Sequence, residues 1–330
     1  MKTKPPRPRR NATGNSPQSR DFLAIYAAAV IGLAAMMWGC SLFTPPDSVV
    51  EPGFIPASRI AKPLAQENTP QQPPDIVARS AIVIDAVTGE SLYEKNPDLR
   101  LPVASTQKLL TAMVAIEEGN LEAEIPTSLE DALQPPTKLG LPPGSRQRRL
   151  DLLSSMLVSS ANDAASALAS NGNGAYRNFV ARMNAKARTL GATHSRFTNP
   201  HGLDEPGQYS TARDSAIIAY HAYRVPLIRH FAAQRTIPFR FGDGSSMTLE
   251  NTNWLVWTRP AYFNGLKSGF TLWGGKCLVA SAKHNGSEII IVLLASTPDE
   301  VFNDARRLFK WHQKKLRSGY GDAPVRVFTE

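Results

Sequence analysis

The chain has 330 residues, 42% apolar and 20% charged, a balance that excludes a disordered polymer and leaves room for a sizeable core. Lys and Arg exceed Asp and Glu by 37 to 28, but the excess crowds near the two ends and no aromatic–basic motif accompanies it, so nucleic acid is not an expected partner. Two cysteines, Cys40 and Cys277, are too few for a disulfide-built scaffold.

Lys2, Lys4, Arg7, Arg9, Arg10 and Arg20 make residues 1–21 a basic tail. Phe22 to Phe43 then run without a charge, long enough to cross a bilayer as a helix. The basic flank places the tail in the cytoplasm and everything beyond residue 43 outside it. We therefore expect a signal anchor in the inner (cytoplasmic) membrane over 22–43. A cleaved signal peptide, releasing a secreted protein, is the competing reading, but its apolar core is usually only ~7–15 residues. Lipid attachment at Cys40 is a third, which bulky Trp38 disfavours. Residues 44–77 are rich in proline and polar residues and read as a linker.

A folded domain is expected over 78–318, with a short tail over 319–330. "SAIVIDAVTGESLYEKN" reads as a hairpin. "STQKLLTAMVAIEEG" reads as a helix with Leu109, Met113 and Ile116 on its apolar face and Gly119 as its stop. Asp131 to Ala187 is expected to be mostly helical, with "LDLLSSMLV" and "DAASALAS" as two helices separated by "SSAND". "TARDSAIIAYHAYR" is a further helix and "TIPFRFGDGSSMTLEN" a hairpin. "FNGLKSGFT" reads as a strand. "CLVASAKHNGSEIIIVLLAS" is the clearest hairpin, turning at Asn285-Gly286. "DEVFNDARRLFKWHQKKL" is an amphipathic helix with Val301, Leu308 and Trp311 toward the core. Cys277 is expected to be a small buried residue. Strands early and late with helices between them predict an α+β domain whose sheet joins both ends of the chain around a helical insertion.

Three short motifs could carry chemistry. Ser105-Thr106-Gln107-Lys108 would set a hydroxyl and an amine one helical turn apart, a nucleophile beside a base. Alone, it is also what a surface helix offers. Ser160-Ala161-Asn162 joins two helices, where the hydroxyl could relay a proton and the amide hold a carbonyl; the plain alternative is that Ser160 and Asn162 cap the following helix. Lys267-Ser268-Gly269 would put a cation, a hydroxyl and a glycine permitting close approach on a strand; the alternative is an edge-strand turn.

Together and in this order, the three resemble the motif set of penicillin-binding proteins and class A β-lactamases. With "TKLGLPPGS", "FTNPHGLDEPGQYSTARDSAIIA", "NTNWL" and "CLVASAK", the chain resembles the D-alanyl-D-alanine carboxypeptidases from about Ala78 to Leu316. The resemblance implies a penicillin-binding-protein/β-lactamase-like fold, an antiparallel sheet flanked by helices with an inserted helical region. It implies Ser105 as nucleophile, Lys108 as its base, and Ser160, Asn162 and Lys267 as further catalytic groups. Lys267, Ser268, Gly269 and Phe270 would bind substrate, with the N–H groups of Ser105 and Phe270 as oxyanion hole. Lys108 and Lys267 would each lower the other's pKa. The implied substrates are peptidoglycan stem peptides, with β-lactams as covalent inhibitors, and no cofactor or metal. His201 is expected to be structural. Ser268 stands where threonine is commoner, and the N-terminal helix would replace the C-terminal anchor of many relatives. No Glu in an E-x-x-L-N setting follows Ser160, which argues against a β-lactamase. An endopeptidase and a non-catalytic wall-binding module remain as alternatives.

Overall fold

The computed structural model describes residues 72–171 and 175–319. The basic tail, the expected anchor, Cys40, residues 44–71 and the final residues 320–330 lie outside the described residues. Among the described residues no helix is long and apolar enough to cross a membrane.

The central sheet has five strands in the order β2-β1-β9-β8-β7, from β1 (Ser80–Asp85), β2 (Ser91–Lys95), β7 (Phe263–Thr271), β8 (Gly275–His284) and β9 (Ser287–Ser296). All neighbouring pairs are antiparallel. β9 is the strand most easily explained from its residues. Ile289 to Leu294 are all 0–1% exposed, as a continuous apolar run covered on both faces requires. Ile289, Ile291 and Leu293 join Ala81, Val83, Leu278 and Ala280 in a core sealed by Val301, Leu308 and Phe309 of α9 (Val301–Gly319). The β8–β9 turn carries Asn285 at φ 48° and Gly286 at φ 77°, the left-handed pair that a tight antiparallel hairpin of native twist demands.

The other helices lie between β2 and β7. After the 3-10 turn Ala104–Gln107 comes α1 (Lys108–Glu117). It is followed by α2 (Leu129–Ala132), α3 (Arg149–Val158), α4 (Asn162–Ala169) and α5 (Ala175–Thr189). Next are α6 (Ala212–Arg224), α7 (Pro226–Ala233) and α8 (Trp254–Thr258). Two small antiparallel ribbons complete the insertion: β3 (Glu124–Pro126) with β4 (Arg146–Arg148), and β5 (Thr236–Arg240) with β6 (Ser246–Glu250).

The α+β architecture and the union of both chain ends in one sheet follow the expectation. Details differ. α1 is not a surface amphipathic helix: every residue from Lys108 to Ala115 is buried, while Ile116 is only half-buried. The cause is that α3, α5 and α6 pack around it. Trp311 stays half-buried, meeting Tyr93 edge-on with ring centroids 5.9 Å apart; Phe309 takes the core position instead. Order also begins before residue 78. Ile76 is in the core, and the amides of Val77 and Ala78 donate to the buried Asp304 carboxylate at 2.9–3.1 Å, tying the start of the domain to α9. Cys277 is buried and free, as expected.

Candidate active site

Two walls meet at Ser105. The first comes from the helical insertion. Ala104, at φ 51°, bends the chain into the 3-10 turn and leaves Ser105 partly exposed at its start. Lys108, one turn on, is fully buried. Its Nζ lies 2.8 Å from Ser105 Oγ, 2.7 Å from Asn162 Oδ1 and 2.6 Å from the carbonyl oxygen of His201. Burial pushes its pKa well down; the Lys267 charge pushes the same way, and Asp163 pushes back. A neutral amine has two N–H groups and one lone pair. Once uncharged, the amine would give its N–H groups to the two carbonyl oxygens and keep its lone pair for the Ser105 hydroxyl proton.

The His201 carbonyl is held there by the same turn and helix. Gln107 Nε2 donates to the Asn199 carbonyl and Thr111 Oγ1 to the Pro200 carbonyl, each at 2.6 Å. The Asn199 side chain accepts from the Gly202 amide at 2.8 Å, closing the loop. Gly202 has φ 87°, and a Cβ there would sit 2.1 Å from the Ala104 oxygen. Only glycine lets this loop rest on the residue before the nucleophile. The His201 ring is buried, and desolvation lowers its pKa to about 3, so the imidazole is neutral.

Ser160 and Asn162 do not cap the helix. Ala161 occupies the N-cap position, with no side-chain capping bond. Ser160 has φ 68°, uncommon for a residue with a Cβ, and its hydroxyl has no hydrogen-bond partner among the described residues. Asn162 spans the cleft floor, donating Nδ2 to the Pro135 carbonyl at 3.0 Å while its oxygen meets Lys108. Asp163, next in the chain, accepts from the amides of Leu139, Gly140 and Leu141 at 2.8–3.2 Å and so pins the loop that carries Pro135.

The second wall is β7. Gly269 is the contact point: a Cβ there would lie 2.6 Å from Ser105 N and 2.9 Å from Ala104 Cβ. The close approach expected of this glycine is to backbone, and it brings the Ser105 amide against the strand one residue before Phe270. Phe270 itself is 53% exposed. Lys267 is buried, with Nζ 2.9 Å from the Ser268 carbonyl and 3.3 Å from Thr252 Oγ1. Ser268 Oγ donates to the Thr252 carbonyl at 2.9 Å and lies 3.0 Å from Thr252 Oγ1. Burial, then the charge of Lys276, lowers the Lys267 pKa to about 7.

The expected mutual depression of the two lysines is therefore one-sided. Lys267 lowers Lys108, but the charge that acts on Lys267 is that of Lys276.

The structure thus joins Ser105, Lys108 and Asn162 by hydrogen bonds and sets Gly269 against the Ser105 amide. The Lys267 charge reaches Lys108, and Ser268 shares Thr252 with Lys267. Ser160 stands two residues before Asn162, and Phe270 follows Gly269 on β7. Residue reading missed the His201 carbonyl, which has no side-chain signature, and Thr252, which sits inside the quoted "NTNWL" run and had only its hydroxyl to mark it. Among the described residues no cluster of His, Cys, Asp or Glu could hold a metal ion.

Comparison with known proteins gives the family. A family model described as D-alanyl-D-alanine carboxypeptidase, peptidase S11, matches residues 66–297. The chain is 35% identical to the D-alanyl-D-alanine carboxypeptidase DacF of Bacillus subtilis over 68% of its own length and 59% of the relative's. It therefore spans about three fifths of that protein. A D-alanyl-D-alanine endopeptidase of Pseudomonas aeruginosa is 34% identical over 78% of this chain and 81% of its own. Among solved structures, a D-alanyl-D-alanine carboxypeptidase of Mycobacterium tuberculosis superposes with a TM-score of 0.69 at 31% identity, covering 74% of this chain and 94% of that one. The Streptomyces K15 DD-transpeptidase gives 0.70 at 27% identity, covering 74% and 100%. With the three motifs gathered at Ser105 and a family model matched across most of the described domain, the chain belongs to the D-alanyl-D-alanine carboxypeptidase family of serine peptidases.

Proposed function

We propose that this protein is a serine-type D-alanyl-D-alanine carboxypeptidase acting on peptidoglycan stem peptides. The observation that carries the reading is the environment of Lys108: a fully buried amine with two carbonyl acceptors and the Ser105 hydroxyl 2.8 Å away. A serine hydroxyl needs a base, and an amine whose pKa burial lowers is suited to be one.

The steps balance as follows. The Ser105 proton passes to Lys108 Nζ as Oγ attacks the carbonyl between the two D-alanines. The amides of Ser105 and Phe270 receive the developing oxyanion, each such donor being worth about 3–4 kcal/mol. The C–N bond breaks, and the leaving amine takes a proton from Lys108 through the unengaged Ser160 hydroxyl. The peptide remains as an ester on Oγ. Water then attacks that ester and gives a proton to Lys108, which returns it to Ser105 Oγ as the Oγ–carbonyl bond breaks, and the shortened peptide leaves as a carboxylic acid that ionises in water. Lys267 and Ser268 receive the terminal carboxylate of the incoming peptide. A β-lactam would enter the same cleft and acylate Ser105. His201 would contribute its carbonyl rather than its ring. The apolar run Phe22–Phe43 would hold the domain on the extracytoplasmic side of the inner membrane, where the polymer lies, a role supported by its length and basic flank.

A second reading is a DD-endopeptidase that cuts peptide cross-links through the same acyl-enzyme. Its support is that endopeptidases of Pseudomonas aeruginosa and Escherichia coli each match 78% of this chain and 81–83% of their own length. The purified full chain, incubated with pentapeptide monomers and cross-linked dimers, separates the two. Loss of one alanine from monomers supports the carboxypeptidase, and splitting of dimers supports the endopeptidase. No product from either, with no penicillin labelling of Ser105, refutes both.

A further inference from the structure

We propose that the groove between α5 and the segment Ser195–Tyr209 is a second binding site, which takes a carboxylate-bearing peptide strand of the wall polymer. The groove encloses about 600 Å³ and shares no lining residue with the cleft at Ser105. Arg177 and Arg188 line it from α5, and Arg196 from the facing segment. All three are exposed, and none has an ion-pair partner among the described residues. A fourth guanidinium, that of Arg100, stacks on the groove residue Tyr209 at 4.9 Å.

Other basic residues of α5 behave differently. Arg182 pairs with Glu118 and Lys186 with Glu117. The helix therefore neutralises basic side chains that meet α1 and leaves Arg177 and Arg188 without counter-charges. The nearby carboxylates do not supply them. Asp214 is buried and accepts from His194 N and Ser195 Oγ at 2.6–2.7 Å, and Glu205 accepts from Asn199 Nδ2 at 2.8 Å.

The spacing sets the kind of ligand. Arg177 and Arg188 are eleven residues apart, about 16 Å along a helix. An extended peptide covers that span in about five residues. Guanidinium forks match carboxylates in pairs, so a strand with several carboxylates fits better than a single small anion. Position supplies the last argument. Phe197 and Thr198 line the groove, and the next residues, Asn199 to His201, carry the carbonyls held by Gln107, Thr111 and Lys108. One loop thus has the groove on its outer side and the proposed catalytic lysine on its inner side. A stem peptide held outside would keep the polymer beside the cleft while a neighbouring peptide reacts. The identity of this ligand rests on the wall-peptidase reading; the existence of a carboxylate site does not.

The test uses the full chain, its Arg177→Gln/Arg188→Gln/Arg196→Gln variant and the matching triple Lys variant. Each is co-sedimented with insoluble peptidoglycan, native and with its carboxylates amidated, and each is labelled with fluorescent penicillin. Exposed pairs are individually weak, so the three together should change affinity by about tenfold. The expected result is that the Gln variant loses about that much affinity for native polymer. The Lys variant should keep most of it, and the parent should bind amidated polymer as weakly as the Gln variant does. Penicillin labelling should be equal in all three. Equal binding of native polymer by parent and Gln variant, or of native and amidated polymer by the parent, overturns the proposal. Absence of penicillin labelling in the parent would instead remove the wall-peptidase reading and leave the sedimentation result to judge the groove.

Discussion

The two walls of the cleft bury one lysine each, and they treat them differently. On the helical wall, Lys108 meets two carbonyl oxygens and a hydroxyl, with the Asp163 carboxylate some way behind it. On β7, Lys267 meets a single carbonyl and one threonine hydroxyl, and its pKa falls to about 7. Burial lowers the pKa of both amines, and the charges beside them differ: that of Lys267 acts on Lys108, and that of Lys276 on Lys267. The lesson is that burial depth does not set the role. Both amines are at most 1% exposed; the hydrogen-bond partners and the charges around them distinguish them.

The comparison can be broken most severely at Lys108. Lys108→Ala should reduce kcat by about 10³-fold or more, within or above the usual range for a general base. Stopped-flow acylation by a chromogenic β-lactam measures it, and a fall of less than tenfold would remove Lys108 from the mechanism. Gly269→Ala attacks the seam between the walls. Its Cβ would press on Ser105 N at 2.6 Å, so β7 must retreat, and a displacement of this size should lower kcat by about 10²-fold. An unchanged kcat would show that the seam tolerates a methyl group.

Lys267 sharpens the comparison through pH. Its proton is present below about 7 and absent above, so KM for a peptide with a terminal carboxylate should rise as pH passes upward through that value. Lys267→Met should raise KM by about 10–100-fold at pH 6, the worth of one charged hydrogen bond, and abolish the pH limb. Stability should move the opposite way. Because the folded pKa lies below the unfolded value of 10.5, the unfolded chain holds the proton more tightly between the two. The burial penalty is therefore complete below about pH 7 and fades as pH rises toward the unfolded value. Lys267→Met should thus be more stable than the parent by about 1–4 kcal/mol at pH 6, with the gap narrowing by pH 9 in urea unfolding. A gap that widens with pH would reverse the assignment. The smallest effect is expected at Thr252→Val, which removes one hydroxyl from Lys267 and Ser268 and should raise KM a few-fold, about 1 kcal/mol, with kcat unchanged.

Much of this arrangement was legible before any coordinates. The run from Ile289 to Leu294 is too continuously apolar for a one-faced strand, and Asn285-Gly286 fixes the turn before it. Those two features place β8 and β9 side by side in the middle of the domain. The β3–β4 ribbon was not legible, since strands of three residues containing Pro126 and alternating Arg carry no apolar signal. Nor was the burial of α1. An amphipathic spacing of Leu109 and Met113 says which face is most apolar, not whether other helices will cover the rest. Trp311 shows the reverse error, a large apolar residue at the right helical spacing that ends over Tyr93 at the sheet edge.

The amino-acid order by itself determined which chemical groups this protein owns, their succession along the chain, and the hairpins and helices that carry them, because turn residues and apolar periodicity act over a few neighbours. It also determined the spacing of Ser105 and Lys108, since one turn of helix is a local fact. Only the tertiary structure decided that Lys108 is buried with its pKa lowered, that a main-chain oxygen at residue 201 completes its shell, that Thr252 underlies β7, and that Gly202 and Gly269 let a loop and a strand close on Ala104. The physical reason is common to all four. Desolvation, carbonyl direction and the room left for a Cβ depend on atoms that are distant in sequence, and those atoms meet only when the insertion has folded and β7 has closed against it.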